Sequence, residues 1–118
     1  MTVVSDSSPL ITLARIGRLE LLRLLFRTIT ITPEVYDEVA VRGAGLTGST
    51  EIAACKWIVR KPVENVGALA AAQRAFGLGI GEASAIILGQ EVSAGVLLID
   101  EIKARKVARE HRWQSWVV

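Results

Sequence analysis

The chain contains one cysteine, Cys55, and one histidine, His111. A lone cysteine excludes an internal disulfide. A zinc cage of the Cys/His type needs several such ligands, so it is excluded as well. Cys55 is expected to be a small buried hydrophobe. Aromatic residues are scarce, at 5% of 118 residues, although 51% of the chain is hydrophobic. The core must therefore be built from Leu, Ile, Val and Ala. Long apolar runs are missing too. Stretches such as Val96–Ile99 fall far short of the ~20 residues needed to span a bilayer. The N-terminus lacks a basic segment followed by an apolar h-region. The expectation is a cytoplasmic protein with no signal peptide and no membrane span. Charge of one sign is lacking: the net charge is only +2. That balance admits a polyanionic partner without requiring one. The length suits a single domain, residues 1–118. No internal repeat and no low-complexity segment is visible.

What is present begins at the N-terminus. Val3-Val4-Ser5 reads as a short buried strand that stops at a carboxylate, Asp6. Ser8 is a good N-cap and Pro9 suits a first helical position, so a helix is expected over 9–16, ended by Gly17. Leu19, Leu22 and Leu25 recur at helical spacing, with Leu21 widening the apolar face. Arg15, Arg18, Arg23 and Arg27 decorate this region, as a solvated face or as a nucleic-acid contact. Thr28-Ile29-Thr30-Ile31 is β-branched throughout and reads as a second strand. Thr32-Pro33-Glu34 then opens a helix running to about Val41, carrying Glu34, Asp37 and Glu38.

Residues 42–50 form a glycine-rich loop. Gly43-Ala44-Gly45-Leu46-Thr47-Gly48 has dinucleotide-binding spacing. It is discounted because the fingerprint must follow a strand, and here a helix precedes it. A helix over 50–57, a short strand over 57–61 and an alanine-rich helix over 67–76 follow. Gly81-Glu82-Ala83-Ser84-Ala85-Ile86 opens a helix that is apolar nearly all round. Val96-Leu97-Leu98-Ile99 has the continuous apolar character of a central parallel strand and stops at Asp100. A basic helix over 101–112 and a last strand over 115–118 complete the chain. Strands alternating with helices imply a parallel sheet with right-handed crossovers. The expected fold is α/β: a three-layer α/β/α sandwich with a central parallel sheet of four to five strands.

Each acid has an ordinary structural explanation. Asp6 and Asp100 suit helix starts, Glu82 suits the positive end of a helix dipole, and Glu38 suits an exposed face. If the first and fourth strands are neighbours, however, Asp6, Glu82 and Asp100 meet at one sheet edge, where ligands of open α/β sheets bind. Ionised carboxylates gathered there need a cation. All-oxygen ligation suits Mg²⁺ or Mn²⁺. Such an ion activates water and stabilises phosphoryl displacement. A phosphoacceptor receiver domain also uses strand-end aspartates, but its lysine at the end of a late strand is missing.

The set Asp6-Ser7-Ser8-Pro9-Leu10-Ile11, Pro33-Glu34-Val35-Tyr36-Asp37-Glu38-Val39, Gly81-Glu82-Ala83-Ser84-Ala85-Ile86 and Leu97-Leu98-Ile99-Asp100-Glu101 resembles the PIN-domain family. It is closest to the prokaryotic branch related to toxin endoribonucleases of toxin–antitoxin pairs. The resemblance covers nearly the whole chain in order. It implies an acidic quartet, Asp6, Glu38, Glu82 and Asp100, that binds Mg²⁺ or Mn²⁺ and hydrolyses RNA. Asp6, Glu82 and Asp100 would be the metal ligands. Glu34 or Asp37 are alternatives for the role of Glu38. Ser8, Glu101 and Arg105 would be auxiliary: a supporting hydroxyl, a further acid, and a cation for a phosphate or an acid. Similar proteins continue past the last strand with a further helix, whereas this chain stops at Val118. That difference raises the expectation of a covering partner, either a second copy in a homodimer or an antitoxin. A non-catalytic PIN-like module that binds an antitoxin or other partner is the alternative reading.

Overall fold

The computed structural model describes residues 1–41, 48–100 and 116–117. Five short strands form one sheet: β1 (Val3–Ser5), β2 (Ile29–Ile31), β3 (Ile58–Arg60), β4 (Val96–Ile99) and β5 (Trp116–Val117). Their spatial order is β3-β2-β1-β4-β5, and every pairing is parallel. The helices are α1 (Ser7–Arg15), α2 (Glu20–Phe26), α3 (Pro33–Tyr36), α4 (Ser49–Ala54), α5 (Val66–Phe76) and α6 (Ile80–Glu91), with a π-helical segment over Asp37–Val41 directly after α3. From β1 the sheet grows one way through β2 and β3, then the other way through β4 and β5. Right-handed crossovers place α1 to α4 on one face and α5 and α6 on the other. The order reverses between β1 and β4, the switch point at which open α/β sheets bind ligands. The expected architecture is thus realised, with five strands.

The ladder between β1 and β4 extends one step beyond β1, where the amide of Asp6 donates to the carbonyl of Leu98 (2.9 Å). The strands are apolar because both faces are covered: Val3, Val4, Ile29, Ile31 and all of Val96–Ile99 are buried. β3 is the exception, being mostly exposed. There the Arg60 guanidinium lies 4.1 Å from the Tyr36 ring centroid, a cation–π contact that covers this edge. Helix α6 is buried along most of its length, from Ala83 to Gly89. No helix of the described residues is long and apolar enough to cross a membrane.

Four expectations need correction. The cap of α1 is Asp6, not Ser8: its carboxylate accepts from the amide of Ser7, and the helix begins there. Pro9 is still tolerated because the first four helical amides have no intrahelical partner. On α2, Leu22 is buried, whereas Leu21, Leu24 and Leu25 are largely exposed. The helix after Pro33 is not uniform but widens into a π-helical turn at Asp37. Cys55 is half-buried, at the rim of the core, and its thiol donates to the carbonyl of Glu51 (3.2 Å). The glycine fingerprint (all but Gly48), the basic helix and both Glu101 and Arg105 lie outside the described residues.

Among the connections with positive φ, two stand out. Arg27 has φ 67° and ψ −52°, and the amide of Thr28 donates to the carbonyl of Phe26 (2.8 Å). This is a γ-turn of the rare positive-φ kind, which costs a non-glycine residue about 1–3 kcal/mol. Gly48 has φ 91°, and a Cβ there would sit 2.5 Å from the Cβ of Ala14. This close approach lets α4 pack on α1, and α4 also packs on the π-helical segment. Gly48→Ala should therefore lower stability by on the order of 2 kcal/mol, from φ strain and overpacking together. Urea unfolding should show a lower midpoint with an unchanged slope.

Candidate active site

Asp6 follows the end of β1 and is almost fully buried, with 1% exposure. Its Oδ1 accepts from the Ser7 amide at 2.7 Å. The Ser7 hydroxyl lies between two acids, 3.4 Å from Asp6 Oδ1 and 3.1 Å from Glu38 Oε2. A hydroxyl has one proton to donate, and the shorter contact directs it to Glu38. Asp6 and Glu38, 32 positions apart in the chain, are thus held across a single oxygen.

Glu38 is placed from its other side by α6. A Cβ built on Gly81 would fall onto Glu38 Oε1. The carboxylate rests directly on the first turn of this helix, against bare backbone. The π-helical turn places Glu38 where it meets Gly81. A second link holds the two segments together. Thr32 Oγ1 accepts from the Val35 amide (3.1 Å) and is 2.7 Å from Ser84 Oγ, which donates to the carbonyl of Gly81 (2.7 Å). Because the Ser84 proton is used on Gly81, Thr32 donates to Ser84. Like charges at Asp6 and Glu38 repel, but each stands at a helix N-terminus, α1 for Asp6 and α6 for Glu38. Both helix dipoles favour negative charge there.

Glu82 is the neighbour of Gly81 and lies in the first turn of α6. Asp100 is the first residue beyond β4. In the β1–β4 register Ser5 pairs with Leu98, so Asp6 is level with Ile99 and Asp100 is one step further. Strand spacing then puts the Asp6 and Asp100 Cα atoms within about 6 Å. The adjacency of the first and fourth strands, on which the convergence depended, is present. Of the acids on the α3 segment, Glu38 shares a hydrogen-bond donor with Asp6. Glu34 Oε1 is buried with no hydrogen-bond partner among the described residues.

Two positions of the candidate site escaped the sequence reading. The supporting hydroxyl belongs to Ser7, while Ser8 stands on the next helical position and is half-buried. Gly81 acts as a seat for Glu38. Its signal was a glycine just before the first acid of a helix, where a better helix former would otherwise be favoured.

The donor set is carboxylate oxygen throughout, which fits a hard divalent ion better than a soft one. Among the described residues, no three His, Cys, Asp or Glu side chains are already grouped so as to hold a metal ion. The fit is therefore one of donor chemistry and of a shared edge, with Asp6 and Glu38 the pair brought together explicitly. Thiol chemistry has no such support. Burial, and then the nearby carboxylates of Glu51 and Glu20, push the Cys55 thiol above its ordinary pKa, which disfavours the nucleophilic thiolate.

A family model described as a PIN domain matches residues 2–115. The chain belongs to the PIN-domain family. PIN domains are, in general, nucleases. No curated protein and no solved structure matches the chain.

The seat on Gly81 can be tested by a double-mutant cycle. Gly81→Ala alone should destabilise by on the order of 1–3 kcal/mol, because the methyl group displaces the Glu38 carboxylate. In a Glu38→Ala background the same change should be neutral or stabilising, since alanine is the better helix former by about 0.5–1 kcal/mol. Equal effects in both backgrounds, read from urea midpoints, would show that no such seat exists.

Proposed function

We propose that this PIN domain is a divalent-metal-dependent endoribonuclease of the toxin-like type. The observation that carries the reading is the Asp6–Ser7–Glu38 link at the sheet's switch point, with Glu82 and Asp100 arriving at the same edge. In this reading Asp6, Glu82 and Asp100 hold Mg²⁺ or Mn²⁺, and Glu38 completes the acidic quartet. When bound, the ion would act as a Lewis acid and lower the pKa of a bound water, the chemistry needed for phosphodiester hydrolysis without a covalent nucleophile.

The chain's own residues prepare that site. Asp6 is fixed by the Ser7 amide, so one of its oxygens has a set direction. Ser7 donates its hydroxyl hydrogen bond to Glu38 and keeps that carboxylate turned toward Asp6. Glu38 is half-buried over the first turn of α6; in this reading it orients a water molecule or accepts its proton. Gly81 leaves the space this requires, and the Thr32–Ser84 pair keeps α6 at the right height. The toxin-like reading adds an antitoxin, a homodimer and cytoplasmic action. Leu24 and Leu25 on α2, 69% and 71% exposed, supply apolar surface of the kind such contacts cover.

The test separates the acids from the fold. Asp6→Asn keeps a side-chain carbonyl for the Ser7 amide, so the cap of α1 survives. Asp6→Asn and Asp100→Asn should each leave the melting temperature within a few degrees while cutting RNA cleavage by at least about 100-fold. Each should also abolish saturable Mn²⁺ binding in calorimetry. Undiminished cleavage by both variants would defeat the assignment. A folded wild-type chain that binds no Mn²⁺ and cleaves no RNA would instead favour the non-catalytic interaction module.

A further inference from the structure

Outside the carboxylate site, the sheet's opposite edge carries a feature with its own chemistry. An open groove of ≈ 580 Å³ is lined by Arg23, Leu24, Arg27, Lys56 and Trp57. It lies where β2 and β3 begin, since the Ile29 amide at the start of β2 donates to the Trp57 carbonyl (3.0 Å) just before β3. The lining holds three cations and no carboxylate. Arg23 is paired with Glu20 on the same helix. Arg27 and Lys56 are exposed and make no ion pair among the described residues. Trp57 is half-buried; it packs against the core and also lines the groove.

The backbone at Arg27 is the second observation. Its γ-turn puts a long charged residue where glycine would fit at no cost. Strained backbone of this kind persists where the surroundings hold it, and it clusters at functional positions. Nothing in the carboxylate site uses Arg27, because the groove and that site lie at opposite ends of the strands. The strain instead fixes the point from which the Arg27 side chain enters the groove.

We propose that this groove is a second nucleic-acid contact, taking a single-stranded segment whose phosphates meet Arg23, Arg27 and Lys56 and one of whose bases lies against Trp57. A cationic groove with an aromatic platform is the chemistry that single strands require. An acidic peptide would use the cations and leave the indole idle. The choice of RNA as the strand rests on the nuclease reading above, whereas the contact itself needs no metal ion and no cleavage.

The experiment uses the full chain in EDTA with a short fluorescein-labelled single-stranded oligoribonucleotide, read by anisotropy across a salt series. The wild type should bind. Arg27→Gly with Lys56→Ala should weaken binding at least about 10-fold and flatten the salt slope by roughly 1.4, the loss of two phosphate contacts on a single strand. Arg27→Gly alone should raise the melting temperature while weakening binding, because glycine takes the turn without strain. An abasic oligomer should bind more weakly than the normal strand. The proposal is overturned if the wild type does not bind, if the double variant keeps wild-type affinity and slope, or if the abasic strand binds equally well. Failure of the nuclease reading shows separately, as RNA left uncleaved in Mg²⁺ although binding is intact.

Discussion

Everything at the acidic edge depends on how bare the first turns of α6 are. Gly81, Ala83, Ser84 and Ala85 are all buried, and together they contribute little more than backbone, two methyl groups and one hydroxyl. A helix with such a start can lie close against β1, β4 and α3 at once. Gly81 admits the Glu38 carboxylate, Ala83 and Ala85 admit close packing, and the Ser84 hydroxyl is satisfied at both ends by Thr32 and the Gly81 carbonyl. A side chain at Gly81 would displace the carboxylate itself, and a larger residue at Ala83, Ser84 or Ala85 would push the helix outward. Glu38 would then lose its seat, and the shared hydroxyl of Ser7 would have one acid to serve instead of two. The small residues are therefore part of the electrostatic design, because they bring the positive end of α6 up to a carboxylate that also faces Asp6.

The fold was largely legible in the sequence because its strands are short apolar runs with sharp ends. Val96–Ile99 has the continuous apolar character of a strand buried on both faces, and the alternation of strands and helices favours a parallel sheet. The acids were legible for the same reason, since Asp6 and Asp100 are the residues at which apolar runs stop. What was not legible turns on competition between near-equals. Asp6 and Ser8 are both good caps. The choice falls to Asp6 because the ladder with β4 runs as far as its own amide, which leaves Ser7 as the first helical residue. On α2, leucines cover two faces, and helical spacing alone does not say which face meets the sheet. Only Leu19 and Leu22 find it, and Leu24 and Leu25 are left outside.

The π-helical turn at Asp37–Val41 was invisible for a different reason. An α-turn and a π-turn accept much the same residues, and the difference is one register step in the hydrogen bonds. Tertiary contacts decide it, here those of α1, α4 and α6 on the segment. That step has a chemical consequence, because it sets which acid on the segment faces Asp6. Periodicity left Glu34, Asp37 and Glu38 as candidates. The widened turn, held by Gly81 and Ser7, brings Glu38 to the place.

Both irregular segments adjoin β2. The γ-turn at Arg27 precedes the strand by one residue, and Thr32, which caps α3 ahead of the π-turn, follows it directly. β2 is only Ile29–Ile31, yet like β1 it pairs with neighbours on both sides, and Ile29 and Ile31 have no exposure at all. Strain is tolerated where the flanking structure over-determines the chain, and a doubly paired, fully buried strand is the most rigid anchor available. One end of this strand supports the carboxylates and the other supports the cationic groove, about 10 Å apart along the strand direction. The carboxylates Asp6 and Glu38 and the groove cations Arg27 and Lys56 therefore stand at opposite ends of the strands, each on backbone that β2 anchors.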